Sequence, residues 1–199
     1  MIKVLYIHGL GSSSLSSTGQ YLETFNNEDI IFYHPSFDIH PLVAMEEINN
    51  FIKDNDINVV VGSSLGGFYA LMSDIKYGIV INPSLTPITD IKTAIGYGIH
   101  NYTHNEGTYI IDDSFIKELE TIIKRQYEDV DNWFYHFPKD RLFAGIFGNK
   151  DELFSHYDDF HSINSRYVVL IGDMGHKMSK DAFPVLMTLL EEIIKQSNK

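Results

Sequence analysis

The sequence predicts an α/β fold built on a compact, doubly wound and mostly parallel sheet of about six strands. Apolar runs recur six times, and each is nearly continuously apolar, as parallel strands covered on both faces are. Helical patterns separate most of these runs, and such an alternation is typical of doubly wound sheets. A chain of 199 residues suits a single domain. We therefore expect one domain over residues 1–199.

The predicted strands are Ile2 to Ile7, Asp29 to Tyr33, Asn58 to Val61, Tyr77 to Ile81, Leu142 to Phe147 and Arg166 to Ile171. A helix is expected over residues 41–54, since Pro41 suits a first turn and apolar residues follow at helical spacing. Further helical patterns cover residues 65–75 and 114–124, and a last helix runs to about Lys195.

The interval 82–141, after the fourth strand, departs from this alternation. Its 60 or so residues contain one helical pattern, no convincing strand and several aromatic side chains, among them Tyr97, Tyr102, Tyr109, Trp133, Phe134, Tyr135 and Phe137. An insertion that leaves the carboxyl end of a strand lies over the usual ligand site of open α/β sheets. We therefore expect a helical, cap-like insertion whose aromatics either shape a substrate pocket or pack around the core.

Charge and composition narrow the possible partners. The formal net charge of −12 disfavours nucleic acid and anionic membrane surfaces. The absence of cysteine excludes disulfides, thiolate metal sites and a cysteine nucleophile. No apolar run approaches the roughly 18 residues of a membrane helix, and the first residues read directly as a strand, so we expect a cytoplasmic protein. The sequence leaves the oligomeric state open.

The strongest functional motif is Gly62-Ser63-Ser64-Leu65-Gly66, which follows a β-branched run and precedes a helical segment. This is the pattern of a nucleophile elbow, in which the central serine occupies a strained turn between strand and helix. Gly62 and Gly66 are required there because the turn leaves no room for a Cβ. Ser64 is therefore the predicted nucleophile.

A serine hydroxyl needs a neighbouring base, and a carboxylate that orients it. Asp151 follows the fifth strand on a loop that begins with Gly148, and His176 follows the last strand directly after Gly175. The order serine, acid, histidine is that of the nucleophile-elbow enzymes. The remaining choices for the acid are Glu152, Asp158, Asp159 and Asp173.

The oxyanion of an acyl-transfer intermediate needs hydrogen-bond donors. We expect the backbone N–H groups of Leu65, directly after the nucleophile, and of Leu10, in the loop after the first strand. His8 is expected to hold that loop rather than to take part in chemistry, and the other histidines to be surface or packing residues. No spacing indicates a metal site, and substrate-binding residues cannot be named.

With these motifs in place, the chain resembles the α/β-hydrolase superfamily, and within it the small bacterial YqiA-like esterases. The shared features are the His8-Gly9 loop, the segment Gly62 to Ala70, Asn82-Pro83-Ser84-Leu85, the pattern from Gly98 to Thr103, the loop Gly148 to Glu152, and Gly175-His176. The resemblance implies a cofactor-free esterase that acts on small acyl esters with Ser64, Asp151 and His176. Asn149 and Lys150 separate Gly148 from Asp151, where the family commonly reads Gly-Asp-Glu directly, and Met178 stands where an aromatic often follows the histidine by two positions.

Three other interpretations remain. A thioesterase, acyltransferase or peptidase would use the same three residues. A hydrolase fold can also serve as a non-catalytic ligand-binding protein. A dinucleotide site at Gly9 to Ser14 is disfavoured, because Ser14 replaces the third glycine and the second strand ends in Tyr33-His34-Pro35-Ser36, with no acidic residue to hold a ribose.

Overall fold

The computed structural model describes residues 1–164 and 167–197. The strands of the main sheet are β1 (Ile2–Ile7), β2 (Ile30–Tyr33), β3 (Val59–Ser63), β4 (Tyr77–Ile81), β7 (Leu142–Gly148) and β8 (Val168–Ile171). These six strands are parallel and lie in the order β2-β1-β3-β4-β7-β8. The predicted sheet is confirmed, and Arg166, the expected start of the last strand, lies outside the described residues.

Helices cover both faces of this sheet. They are α1 (Ser17–Glu23), α2 (Pro41–Asp54), α3 (Leu65–Met72), α4 (Pro87–Asp90), α5 (Asp113–Lys124), α6 (Tyr157–Ile163) and α7 (Ala182–Ser197). One face packs against α2, α3, α5 and α6, and the other against α1 and α7. Both faces of the central strands are therefore buried, which explains their continuously apolar sequence.

Helix α2 has the predicted bounds, whereas α3 ends at Met72, three residues before the predicted end. Helix α3 ends early because of a contact with a residue that is distant in sequence. The guanidinium of Arg141 donates to the carbonyl groups of Leu71 and Ser73, at 2.7 and 2.9 Å. A cation that satisfies the last carbonyls of a helix stabilises its end. Ser73 accordingly adopts an extended conformation.

The expectation that the insertion holds no strand is wrong. Strands β5 (Gly98–Asn101) and β6 (Thr108–Ile111) form an antiparallel hairpin outside the main sheet. Each has only four residues, and the Ile99–Ile110 pair faces solvent, so neither carries the apolar signal of a buried strand. The hairpin is held by tertiary contacts: Thr103 N donates to Gly11 O at 2.8 Å, and Tyr109 packs on Gly11.

The strand order reverses at one point of the sheet, between β1 and β3. The chain leaves β1 in one direction to β2 and later adds β3 on the other side. Ligands of open α/β sheets bind at the carboxyl ends of the strands beside such a reversal. The segment after β1 and the Ser64 turn after β3 lie at this point.

In the described part of the chain, no helix is both long and apolar enough to cross a bilayer, and a cytoplasmic location stays a prediction.

Candidate active site

Ser64 occupies a strained turn between β3 and α3. Its backbone has φ 56° and ψ −122°, a conformation that costs a non-glycine residue about 1–3 kcal/mol. A Cβ on Gly62 would collide with the carbonyl of Gly66, and one on Gly66 with the carbonyls of Ile7 and His8. The two glycines are thus needed for the predicted reason. The turn directs the Ser64 hydroxyl away from its helix, since it makes no capping bond.

Three predicted residues meet at this turn. His176 Nε2 lies 2.9 Å from Ser64 Oγ, and His176 Nδ1 lies 2.9 and 3.1 Å from the two carboxylate oxygens of Asp151. The Asp151 and His176 side chains are only 2% and 10% exposed. A carboxylate on Nδ1 favours the tautomer with the proton there, so that Nε2 is free to accept the proton of Ser64.

The acid loop, residues 148–156, fixes the carboxylate of Asp151. The backbone N–H groups of Leu153 and Phe154 donate to Asp151 Oδ1 at 2.9 and 3.2 Å. Burial alone would raise the pKa of Asp151, but the hydrogen bonds from His176, Leu153 and Phe154 outweigh it and hold that pKa below its ordinary value. Asp151 is therefore an anion that faces the imidazole.

The other acids considered from the sequence have different partners. Glu152 Oε2 accepts the backbone N–H of His176 at 2.9 Å. Asp173 pairs with Lys150 at 2.7 Å in solvent. Asp159 lies against His156, and Asp158 is exposed. Among these carboxylates, Asp151 is the one whose oxygens contact the ring of His176.

Asn82 is a site residue that sequence reasoning missed. It is 2% exposed, and its Oδ1 accepts the N–H of Gly148 at 2.8 Å. Its Nδ2 donates to the carbonyls of Gly175 and His176, at 2.9 and 2.8 Å. One side chain therefore fastens the acid loop to the loop that carries His176. An Asn-Pro pair directly after a strand was the available signal.

The loop after β1, residues 8–13, contains Leu10, whose N–H is one of the predicted oxyanion donors, and is named the oxyanion loop for that prediction. A Cβ on Gly9 would lie 3.2 Å from the Cβ of Ser64, so its backbone passes directly over the serine. In the described residues no protein acceptor takes the N–H of Leu10 or of Leu65. His8 holds this loop as expected: its Nδ1 contacts Gly9 O at 3.0 Å, and its Nε2 accepts the N–H of Phe37 at 3.3 Å.

A cavity of about 270 Å³ opens beside Ser64 and His176. Hydroxyl side chains form much of its lining, and Leu10, Ile95 and Leu153 add apolar surface. The insertion contributes Ile95 and Tyr109, whereas its Trp133 is buried in the core. In the part of the chain that the structure describes, no group of three or more histidines and carboxylates is arranged to hold a metal ion.

A comparison with known protein families identifies the family of this chain. Residues 3–190 match the family described as uncharacterised protein family UPF0227. The chain belongs to that family. Membership of UPF0227 confirms the resemblance to the YqiA-like proteins that the motifs indicated.

The UPF0227 chain is also similar to solved α/β-hydrolase structures. Mouse alpha/beta hydrolase domain-containing protein 10 matches at 18% identity and TM-score 0.71, over 98% of this chain and 90% of that one. Est1E from Butyrivibrio proteoclasticus, with ferulic acid bound, matches at 14% identity and TM-score 0.68, over 100% of this chain and 90% of that one. A carboxylesterase structure from the thaumarchaeon Nitrososphaera gargenis matches at 13% identity and TM-score 0.58, over 98% of this chain and 92% of that one. Together these matches establish the α/β-hydrolase fold.

Proposed function

We propose that this protein is a serine hydrolase that cleaves small carboxylic esters through an acyl-enzyme on Ser64. The observation that carries the proposal is the continuous chain of contacts from Ser64 Oγ through His176 to Asp151, at 2.9 Å on each side of the imidazole. Structural neighbours that are named as a carboxylesterase and as a complex with ferulic acid support an ester substrate. A cavity of about 270 Å³ is slightly below the usual range for drug-sized ligands, which favours small esters.

The geometry supports the following steps. His176 Nε2 takes the proton of Ser64 as Oγ attacks the ester carbonyl carbon, and the backbone N–H groups of Leu10 and Leu65 stabilise the oxyanion. The intermediate collapses, and the leaving alkoxide takes the proton from His176. Water then gives a proton to His176, attacks the acyl carbon and releases the acid, while the Ser64 oxygen regains the proton.

Intact-mass labelling with a fluorophosphonate tests the nucleophile. We expect one adduct on the parent protein and none on Ser64→Ala, because only an activated serine attacks phosphorus rapidly. Ser63→Ala is the matched control, since Ser63 lines the same cavity and should leave the adduct in place. No adduct on folded parent protein would overturn the proposal and favour a non-catalytic ligand-binding protein.

Esters and thioesters of the same acyl group define the reaction class after labelling. The same three residues would serve both substrates, so we compare kcat/KM for matched pairs of increasing chain length. The proposal expects the ester to be the better substrate and short acyl groups to be preferred. A thioester preferred by about tenfold or more, equivalent to about 1.4 kcal/mol of transition-state binding, would assign the thioesterase alternative instead.

A further inference from the structure

His156, at the end of the acid loop, is enclosed between two carboxylates from different segments. It is 8% exposed, its Nε2 lies 2.9 Å from Asp90 Oδ2, and its Nδ1 lies 3.2 Å from Asp159 Oδ2. A neutral imidazole has one N–H and would turn a lone pair towards one of the carboxylates. Only the imidazolium form donates to both. Burial alone would lower the pKa of His156, but the two carboxylates outweigh it and raise that pKa.

Asp90, the inner partner, has its carboxylate fully engaged. It is 5% exposed, and both oxygens contact His156. Ser84 Oγ and Thr86 Oγ1 donate to it at 2.6 and 2.9 Å. Because Ser84 donates to the carboxylate and not to the imidazole, this group lacks the arrangement that activates a nucleophile. A buried ion pair is weak evidence for added stability, and in some proteins it instead fixes a conformation.

Ser84 and Phe154 link the Asp90–His156 pair to the proposed catalytic residues on two sides. The backbone N–H of Ser84 donates to the carbonyl of Ser64 at 3.1 Å. On the other side the Phe154 ring packs between His156 and His176, with ring centroids 5.5 and 4.8 Å apart. The N–H of Phe154 also donates to Asp151 Oδ1. The Asp90–His156 pair thus joins the serine turn to the acid loop.

We propose that the Asp90–His156 pair is a positioning device for the triad: it holds the acid loop so that Asp151 keeps its contact with His176. The inference rests on the proposed function and adds residues that touch no reacting atom. Neither residue lines the cavity beside Ser64. Loss of the pair therefore lowers kcat and leaves KM unchanged, the signature of an interaction that acts on the transition state.

Asp90→Asn is the variant of choice, because its amide oxygen still accepts from Ser84 or Thr86 while the charge is lost. We expect kcat to fall about 10- to 100-fold, the effect of misplacing a catalytic group by about 1 Å. Fluorophosphonate labelling should slow by the same factor. Asp158→Asn, an exposed carboxylate on α6, is the matched control and should behave as the parent. If Asp90→Asn keeps the parent kcat and labelling rate, the proposal is wrong.

A double-mutant cycle separates positioning from general loss of folded protein. On an Asp151→Ala background the pair has no carboxylate left to place, so Asp90→Asn should lower kcat by less than about twofold. An equal loss on both backgrounds would overturn the proposal. The second variant is Asp90→Asn/His156→Gln, which removes both charges of the pair together and so leaves no lone buried charge. We expect the same fall in kcat for it, and the same small effect on the Asp151→Ala background. Failure of the parent itself to label would instead contradict the proposed function.

Discussion

His8 and His156 hold the two loops that flank Ser64, and their surroundings shift their pKa values in opposite directions. His8 lies among backbone groups: its Nε2 accepts from Phe37 and its Nδ1 contacts Gly9 O, which defines a neutral tautomer. Burial lowers the pKa of His8. His156 lies between two carboxylates that raise its pKa. The comparison teaches that partners, and not burial alone, decide the charge of an enclosed histidine.

The two sides differ in what they must do. In the proposed mechanism the oxyanion loop, on one side of Ser64 (the oxyanion side), presents backbone N–H groups to a negative charge, and a neutral His8 adds no charge of its own there. The acid loop, on the other side (the acid side), keeps the Asp151 carboxylate against His176, and in our proposal the Asp90–His156 ion pair fixes that loop. We therefore expect substitutions of charged groups to affect the acid side, and changes of backbone shape to affect the oxyanion side.

The largest effect on the acid side should come from Asp151→Asn. An amide in this place can donate to Nδ1 and so favours the wrong tautomer of His176, which lowers kcat by about 10⁴-fold in related triads. Steady-state kinetics with a small ester measure the loss. Glu152→Gln is the control, since an amide oxygen can still accept the N–H of His176. A larger loss for Glu152→Gln than for Asp151→Asn would exchange their assigned roles.

Asn82→Ala should reduce the free energy of unfolding by about 3 kcal/mol, because three hydrogen bonds among buried groups are lost. The bonds run to Gly148, Gly175 and His176, so the acid side alone is affected. Urea denaturation measures the change, and Asn50→Ala, at an exposed position of α2, is the control. Equal losses for the two variants would mean that Asn82 does not join the loops.

Sequence reasoning succeeded where the signal is local. Continuous apolar runs located the sheet because both of its faces are covered, and Pro41 located the start of α2. Ser64, Asp151 and His176 were found because each follows a strand on a turn marked by glycine. The structure brings those three within hydrogen-bond distance, while their catalytic roles stay a proposal.

Features that depend on distant contacts were not visible in the sequence. Arg141, directly before β7, binds the last carbonyl groups of α3, and Tyr109 on Gly11 holds a hairpin that lacks a strand pattern of its own. Asp90 and His156 are 66 residues apart in the chain. A single aspartate and a single histidine gave no reason to pair them.

Gly9→Ala tests the oxyanion side. The added Cβ would lie 3.2 Å from the Cβ of Ser64, so the backbone must shift by a few tenths of an ångström. Since a displacement of about 1 Å costs about 100-fold, we expect about a tenfold loss of kcat. Gly172→Ala, on the loop before His176, has nothing within 4 Å of the new Cβ and should be neutral. If both variants match the parent, the backbone at Gly9 is not shaped for catalysis.

The smallest and most specific effect is on the pH dependence of stability. The pKa of His156 is raised from 6.5, so its protonation favours the fold; that contribution is complete below about pH 6.5 and is lost as the pH rises through the folded value. The pKa of His8 is lowered from 6.5, so its contribution is present above about pH 6.5 and is lost as the pH falls through the folded value.

The two contributions oppose each other in the parent and should separate in variants. Thermal unfolding of parent, His8→Gln and Asp90→Asn/His156→Gln from about pH 5 to 9 measures them. The Tm loss of His8→Gln should grow as the pH rises, and that of the double variant should shrink. Asn50→Ala, at an exposed position without a titratable side chain, should show neither trend. Trends of the same sign for both variants would mean that the two histidines share one charge state, and the comparison between the two sides of Ser64 would fail.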